Sequence, residues 1–310
     1  MKKTPVIICA LFFWAIGACA TGPRSTSPES DADRGDRDLR RGIYWYHKGC
    51  SRKALDHFLA AHEYYCLTDQ PVGVARSLLS LANLYRHLHG QESSLPFYDA
   101  AISAARRCGD QTVTAQALSN KAALLIDSDQ LSAAEVLLDE AQLLSREAGP
   151  AFAMVLNHRA VLLMKEQQYD KAAILLSQAD SAVGRGSHRV EATLHYTHGR
   201  LMMISGDYPQ ALMRFQHALE LDRLAGFAQG MAADLAAIAD IQERLGQDEA
   251  ALDYLARSIR MYALIDKRET VLENLEHLET LAKRTGTNIG VTVHFINQWM
   301  AGETVDTTCR

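Results

Sequence analysis

The two histidines His195 and His198 are the best candidates for metal chemistry in the sequence. On a helix, a spacing of three residues places both imidazoles on nearly the same face, where they supply two nitrogens to a metal. Both residues also belong to a periodic helical segment whose side chains normally pack, so two structural histidines explain the pattern more simply. We therefore expect no metal, no cofactor and no catalysis. The alternative is an enzyme that uses this pair together with the C-terminal tail.

Four cysteines follow the first 20 residues of the chain, namely Cys50, Cys66, Cys108 and Cys309. Cys66 and Cys108 hold near-equivalent positions in adjacent copies of a repeated pattern, which places them on the order of 10 Å apart. Disulfide Cα atoms need roughly 4.4–6.8 Å, so we predict no bond between these two. Cys309 lies in a tail from which it could reach a partner. The pattern is not that of a disulfide scaffold.

The N-terminus has the features of an export signal. Lys2 and Lys3 precede an apolar run, residues 6–16, that is too short to span a bilayer. Residues 16–19, IGAC, resemble a bacterial lipobox, in which the signal is cut before the cysteine and the cysteine thiol is acylated. The resemblance implies a signal peptide over residues 1–18 and lipidation of Cys19. An ordinary signal peptide cut near Ala18 or Ala20 is the alternative.

The resemblance to lipoproteins also implies a subcellular location. Ala20, rather than Asp, follows the predicted lipidation site, which favours the outer membrane of a Gram-negative bacterium and a periplasmic orientation. Residues 19–38 are rich in Ser, Pro, Gly and charged residues, so we expect a lipidated N-terminus and a flexible tether there.

One pattern returns from Arg40 onward at intervals of 38 to 41 residues. Its clearest copy is residues 206–212, GDYPQAL. A regular period of this length is typical of a solenoid, in which stacked helical hairpins share a continuous core. Each copy predicts two helices around a turn, with a small or compact residue seven positions before the turn and another usually five positions after it. The turn positions are Gly49, Gly90, Asp129, Gln167, Gly206 and Gly246.

The copies at residues 206–212 and 245–246 resemble the tetratricopeptide repeat. Asp129 and Gln167 replace the usual turn glycine, Asp99 stands where Phe is usual, and the period exceeds the usual length of about 34 residues. The resemblance implies an all-α, right-handed superhelix of six long hairpins over residues 39–284, closed by a capping helix. For residues 285–310 we leave two alternatives open: a short strand through Val291, Val293 and Phe295, or a docked helix.

In proteins that this array resembles, the first helix of each hairpin lines a concave groove that binds peptides or helices. The repeat register assigns to this groove Asn157, Met164, Lys165, Tyr196, Arg200, Met203, Asp240 and Glu243, and in earlier repeats Ser80, Leu84, His87, Ser119 and Asp127. Asn can bond a peptide backbone, Arg can grip a carboxylate, and Met and Tyr pack adaptably. Alternatively, Arg200 and Asp240 pair with each other and bind nothing.

Composition limits the function further. The chain has 310 residues, 48% of them hydrophobic, and a formal net charge of −5. A large core is therefore possible, and a cationic surface for nucleic acid is not expected. We interpret the protein as a non-catalytic scaffold that binds a peptide or protein partner of envelope machinery, such as pilus, secretion or cell-wall assembly. A cytosolic peptide sensor is a further alternative.

Overall fold

A computed structural model describes residues 31–145, 149–184, 186–302 and 309, with side chains from residue 34 onward in the first range. The predicted signal peptide and Cys19 lie outside the described residues. Every regular element in the described part of the chain is a helix, which confirms the all-α prediction. The helices are α1 (Asp31–His47), α2 (Ser51–Leu67), α3 (Pro71–Cys108), α4 (Gln111–Asp127), α5 (Leu131–Ser145), α6 (Pro150–Lys165), α7 (Tyr169–Ala182), α8 (His188–Ile204), α9 (Tyr208–Ala225), α10 (Ala228–Arg244), α11 (Asp248–Leu264), α12 (Arg268–Thr285) and α13 (Gly290–Met300).

The helices pack as six antiparallel hairpins in the predicted order. Five of them are pairs of successive helices: α1–α2, α4–α5, α6–α7, α8–α9 and α10–α11. The remaining hairpin is α3, whose two arms, 71–89 and 91–108, are separated by a non-helical residue, Gly90. Successive hairpins share apolar clusters along the array. Among the described residues, no helix combines the length and the apolar character that a membrane span requires.

All six predicted turn positions have a positive φ angle. The values run from 57° at Asp129 and 61° at Gln167 to 80° at Gly206. Glycine adopts this region without steric cost, whereas other L residues rarely do. Asp129 and Gln167 therefore keep the turn geometry even though the turn glycine is absent, and this is why the repeat register persists through them.

Small residues let the two helices of each hairpin approach closely. The alanine five positions after the turn is completely buried in five repeats, at Ala54, Ala134, Ala172, Ala211 and Ala251. In the first hairpin, a Cβ atom added at Gly42 would overlap the ring of Phe58, and in the fifth, one added at Gly199 would lie 2.8 Å from Phe215. The repeats therefore depend on steric fit at these positions.

We expect Gly42→Ala to destabilise the protein by about 1–3 kcal/mol, because the Phe58 ring is buried and has no free volume to move into. The measurement is the urea midpoint of unfolding, followed by circular dichroism. Ser132→Ala, at an exposed position of α5, is the control that should leave the midpoint unchanged. An equal or higher midpoint for Gly42→Ala would contradict the close packing of α1 on α2.

The predicted tether is wrong for its last part, because residues 31–38 belong to α1. Tyr65 of α2 donates a hydrogen bond to Asp36 at 2.5 Å, and Asp38 lies 3.0 Å from His57. Gly35 is buried against the Tyr65 ring. The charges that suggested a solvated linker are those of an amphipathic helix that packs on α2.

The described part of the C-terminal tail contains the packed helix α13, so the docked-helix alternative is correct and the strand through residues 291–295 is wrong. In α13, Ile296 is completely buried, and Trp299 and Met300 join the apolar cluster of α11 and α12. Beyond α13, Cys309 forms a disulfide with Cys50, and the two Cα atoms are 5.0 Å apart. The expectation that Cys309 reaches a partner is corrected, since its bond lies within the chain. Cys66 and Cys108 are free, as expected.

Candidate functional site

A cavity with polar and apolar walls lies on the inner side of the array. It has a volume of about 580 Å³. Every hairpin contributes to its wall from its first helix, and residue 267, which precedes α12, completes the wall. One lining residue from each hairpin is Tyr46, Asn83, Asn120, His158, Tyr196 and Asp234. This volume lies within the usual range for small-ligand sites.

The array curves until its first hairpin contacts its last ones. Lys267 donates a hydrogen bond to the carbonyl oxygen of His87 at 2.6 Å. Arg189 donates to Nε2 of His47 at 3.2 Å, and its guanidinium lies 4.7 Å from the centre of the Phe227 ring. These contacts join α1 to α8, and α3 to the residue that precedes α12. The inner surface is therefore a laterally closed ring rather than an open groove.

One side of the cavity is cationic. Arg86 is bound to Asp127 at 2.9 Å, and Lys267 lies near enough to Arg86 to interact with it. Burial lowers the pKa of Lys267, the neighbouring Glu269 raises it, and Arg86 lowers it again. Both side chains already have acceptors within the protein.

The two imidazoles beside the cations are neutral at pH 7. Burial lowers the pKa of His87 to about 4, with a further contribution from Lys267. Burial also lowers the pKa of His158 to about 4, with a smaller effect of Arg86, and Nδ1 of His158 lies 2.7 Å from Oγ of Ser119. These rings therefore serve as neutral hydrogen-bonding groups in the wall.

The other side of the cavity holds two buried carboxyl groups. Asp222, near the end of α9, is 5% exposed, and Asp234 of α10 is 1% exposed. Oδ1 of Asp222 and Oδ2 of Asp234 have no hydrogen-bond partner. Burial raises the pKa of Asp222 to about 7, against an opposing effect of Arg189. Burial, and then the neighbouring Asp222, raise the pKa of Asp234 to about 9.

Of the eight residues that the repeat register assigned to the groove, Tyr196 lines the cavity. Three others are inside the array wall. Asn157 is 2% exposed with an unpartnered Oδ1, Met164 is buried in an apolar cluster, and Met203 packs near Phe215. Arg200 is exposed to solvent.

The charged members of the predicted set are paired elsewhere. Lys165 binds Asp129 at 2.8 Å, and Glu243 lies 2.7 Å from His277 and 2.9 Å from Arg284. Asp240 binds Arg244 of its own helix at 2.8 Å, so the alternative in which Asp240 pairs with Arg200 is wrong.

The cavity lies at a different position along the first helices from most residues that the repeat register assigned to the groove. In the later hairpins the cavity is lined by the N-terminal halves of the first helices, whereas the register pointed mainly to their C-terminal halves. Of the five residues assigned in earlier repeats, Ser80, Leu84, His87, Ser119 and Asp127, the cavity includes His87 and Ser119. Asp234 was missed, although a lone acid within the small, apolar run 231–237, MAADLAA, is the signal that could have revealed it.

The two histidines considered for metal binding have protein partners. Nε2 of His198 lies 3.0 Å from Oδ2 of Asp180, and Arg214 donates to Nδ1 of His195 at 3.1 Å. Burial, and then Arg214, lower the pKa of His195 to about 4. Across the described ranges, no three His, Cys, Asp or Glu residues are arranged to hold a metal ion.

Comparisons with known proteins agree with this architecture. The tetratricopeptide repeat family model matches residues 190–263, which span most of the last two hairpins. Among solved structures, a Rap protein complexed with competence and sporulation factor has a TM-score of 0.54 at 15% identity, covering 81% of this chain and 75% of that one.

Two further solved structures show lower similarity. Pseudomonas aeruginosa pilF has a TM-score of 0.44 at 16% identity, covering 75% of this chain and 93% of that one. Yeast Tom70 has a TM-score of 0.47 at 14% identity, covering 94% and 68%. The search of curated proteins gives no match. The family match identifies tetratricopeptide repeats in residues 190–263, and the other hairpins of the array carry their turns in the same register.

Proposed function

We propose that this protein is a non-catalytic scaffold that binds a short segment of a protein or peptide partner in its central cavity. The observation that carries the proposal is the cavity wall, to which all six hairpins contribute and in which buried polar atoms lack protein partners. Buried polar groups without partners are costly to stability, so their presence in a cavity favours a binding role. The volume of about 580 Å³ suits a few residues of a partner rather than a whole helix.

Acylation at Cys19 is the second part of the proposal, and it rests on the sequence around that residue. The first described helix begins at Asp31, which is 31 − 19 = 12 residues after Cys19. A chain of that length reaches at most about 40 Å. The array would thus be held close to the periplasmic face of the outer membrane, where the partner belongs to envelope machinery.

In-cell photocrosslinking tests the binding site. With a photoreactive amino acid at Gln116, an exposed residue of the cavity wall, we expect a discrete adduct with a partner. The matched control is the same amino acid at Leu143, which is 67% exposed in α5 and outside the cavity wall. Adducts of equal yield from both positions, or none from Gln116, would contradict binding in the cavity.

Intact mass and fractionation test the anchor. We expect the mature wild type to begin at Cys19 with acyl chains attached and to sediment with outer membranes, because two or three chains give stable anchoring. Cys19→Ser should release the protein into a soluble fraction. An unmodified mature N-terminus in the wild type would contradict the anchor and leave the cavity proposal to the crosslinking result.

A further inference from the structure

We propose that Asp222 and Asp234 together bind a protonated amine of the ligand inside the central cavity. This inference rests on the proposed function and names the chemistry of the group that enters the cavity. The amine is either the free amino terminus of a short peptide or an amine of a small organic molecule.

The acid pair has unused acceptor capacity at a place that solvent barely reaches. Asp222 and Asp234 are 95% and 99% buried, since their exposed fractions are 5% and 1%. Each has a carboxylate oxygen with no hydrogen-bond partner, and both residues line the cavity. A protonated amine carries one positive charge and three N–H donors, which matches two neighbouring acceptors of negative charge.

The cationic side chains that line the cavity have other partners and do not form an ion pair with the two acids. Arg86 binds Asp127, and Lys267 donates to the carbonyl oxygen of His87. Arg189 opposes the rise in the pKa of Asp222. Its guanidinium nevertheless lies on the Phe227 ring and donates a hydrogen bond to His47. The pKa values of Asp222 and Asp234 are both raised despite the positive charge of Arg189. A charged partner from the ligand would therefore complete the pair, and the carboxyl protons would leave as it binds.

The backbone around the pair is shaped to leave room for it. Gly230 lies one turn before Asp234 on α10, and a Cβ atom added there would overlap Oδ2 of Asp222. Glycine costs about 1 kcal/mol relative to alanine inside a helix, and at this position it provides space for the Asp222 carboxylate. Gly230→Ala thus offers a second way to displace the carboxylate without removing its charge.

The test is affinity selection with mass spectrometry on the mature protein. The probes are a pool of random tetrapeptides with free amino termini, the same pool after N-acetylation, and spermidine. We expect the free-amine pool to be retained at least tenfold more than the acetylated pool. The double variant Asp222→Asn/Asp234→Asn should lose this preference while remaining folded by circular dichroism, and Gly230→Ala should weaken it. Asp240→Asn, which removes an acid outside the cavity, should keep it.

The outcomes separate this inference from the proposed function. Equal retention of both peptide pools, or a preference that persists in the double variant, would overturn amine binding and leave peptide binding intact. Retention of spermidine alone, lost in the double variant, would support amine binding and contradict a peptide partner. No retention of any probe would overturn the inference, and the Gln116 crosslink would still decide the proposed function independently.

Discussion

Asp234→Asn is expected to stabilise the unliganded protein by roughly 2–5 kcal/mol at pH 8 and to leave its stability nearly unchanged at pH 4. In the unfolded chain this carboxyl has a pKa near 3.8, whereas burial, and then Asp222, raise the pKa to about 9 in the folded protein. Between these values the folded state binds more protons than the unfolded state. The contribution of this carboxyl to stability is therefore lost as pH rises from 4 towards 9, and an amide at this position shows no such loss.

The groups around Asp234 determine the shape of this pH dependence. Asp222, from α9, has its pKa raised to about 7 and adds a second loss of stability between pH 4 and 7. Tyr196 of α8 and Tyr262 of α11 face the same region, and burial raises the pKa of each above its ordinary value, so both stay neutral over this range. Above pH 7, where the histidines are neutral in both the folded and the unfolded state, the double variant should show the flattest pH profile.

The measurement is the urea midpoint of wild type, Asp234→Asn and the double variant between pH 4 and 9. Asp240→Asn is the matched control, because Asp240 is only partly buried and paired with Arg244, and its removal should not alter the profile. A difference in stability between wild type and Asp234→Asn that stays constant from pH 5 to 9 would contradict a buried acid pair. A gain in stability for the same variant that loses amine binding would indicate that the acids are retained for function.

Cys309→Ser is expected to lower the free energy of unfolding by roughly 2–5 kcal/mol. The disulfide joins residues 259 positions apart, so it restricts nearly the whole unfolded array. In the chain-entropy treatment a loop of about 100 residues already contributes about 4.7 kcal/mol. The bond also fixes the C-terminal segment to Cys50, which is buried at the start of α2.

Urea unfolding in the presence and absence of dithiothreitol measures this effect. Reduction should lower the wild-type midpoint to that of Cys309→Ser and leave the variant unchanged. Cys66→Ser, which removes an exposed free thiol, is the control and should behave as the wild type. Mass spectrometry of a non-reduced digest should identify the Cys50–Cys309 peptide pair. A bond to another protein at Cys309, or equal midpoints with and without reductant, would contradict the intramolecular staple.

The acid pair and the disulfide both depend on the contact between the first and the last hairpins. A Cβ atom at Gly49 would overlap Ile265, so the turn of the first hairpin lies directly on the end of α11. Lys267 and Arg189 bridge the same junction. The ring encloses the acids that govern the pH dependence, and the disulfide joins its first hairpin to the chain beyond its last helix.

The sequence alone determined the repeat unit. The repeat depends on local requirements that a few neighbouring residues reveal. These are the positive φ at Gly206 and Gly246, the buried small residues Ala172 and Ala211, and the regular spacing of the copies. The all-α class and the six hairpins follow from them. The lipidation site at Cys19 was likewise assigned from a short motif and stays a prediction.

The tertiary structure decided how the hairpins close and what they enclose. Each hairpin adds a small rotation to the one before, so the contact of Gly49 with Ile265 depends on the sum over the whole array, which no single repeat encodes. The same sum selects which parts of the helices face inward, and this is why a register read from single repeats includes Tyr196 but neither Asp234 of α10 nor Asp222 of α9. It also brings Cys309 to Cys50 across 259 residues. Local physics specifies the unit, and only long-range packing specifies the site.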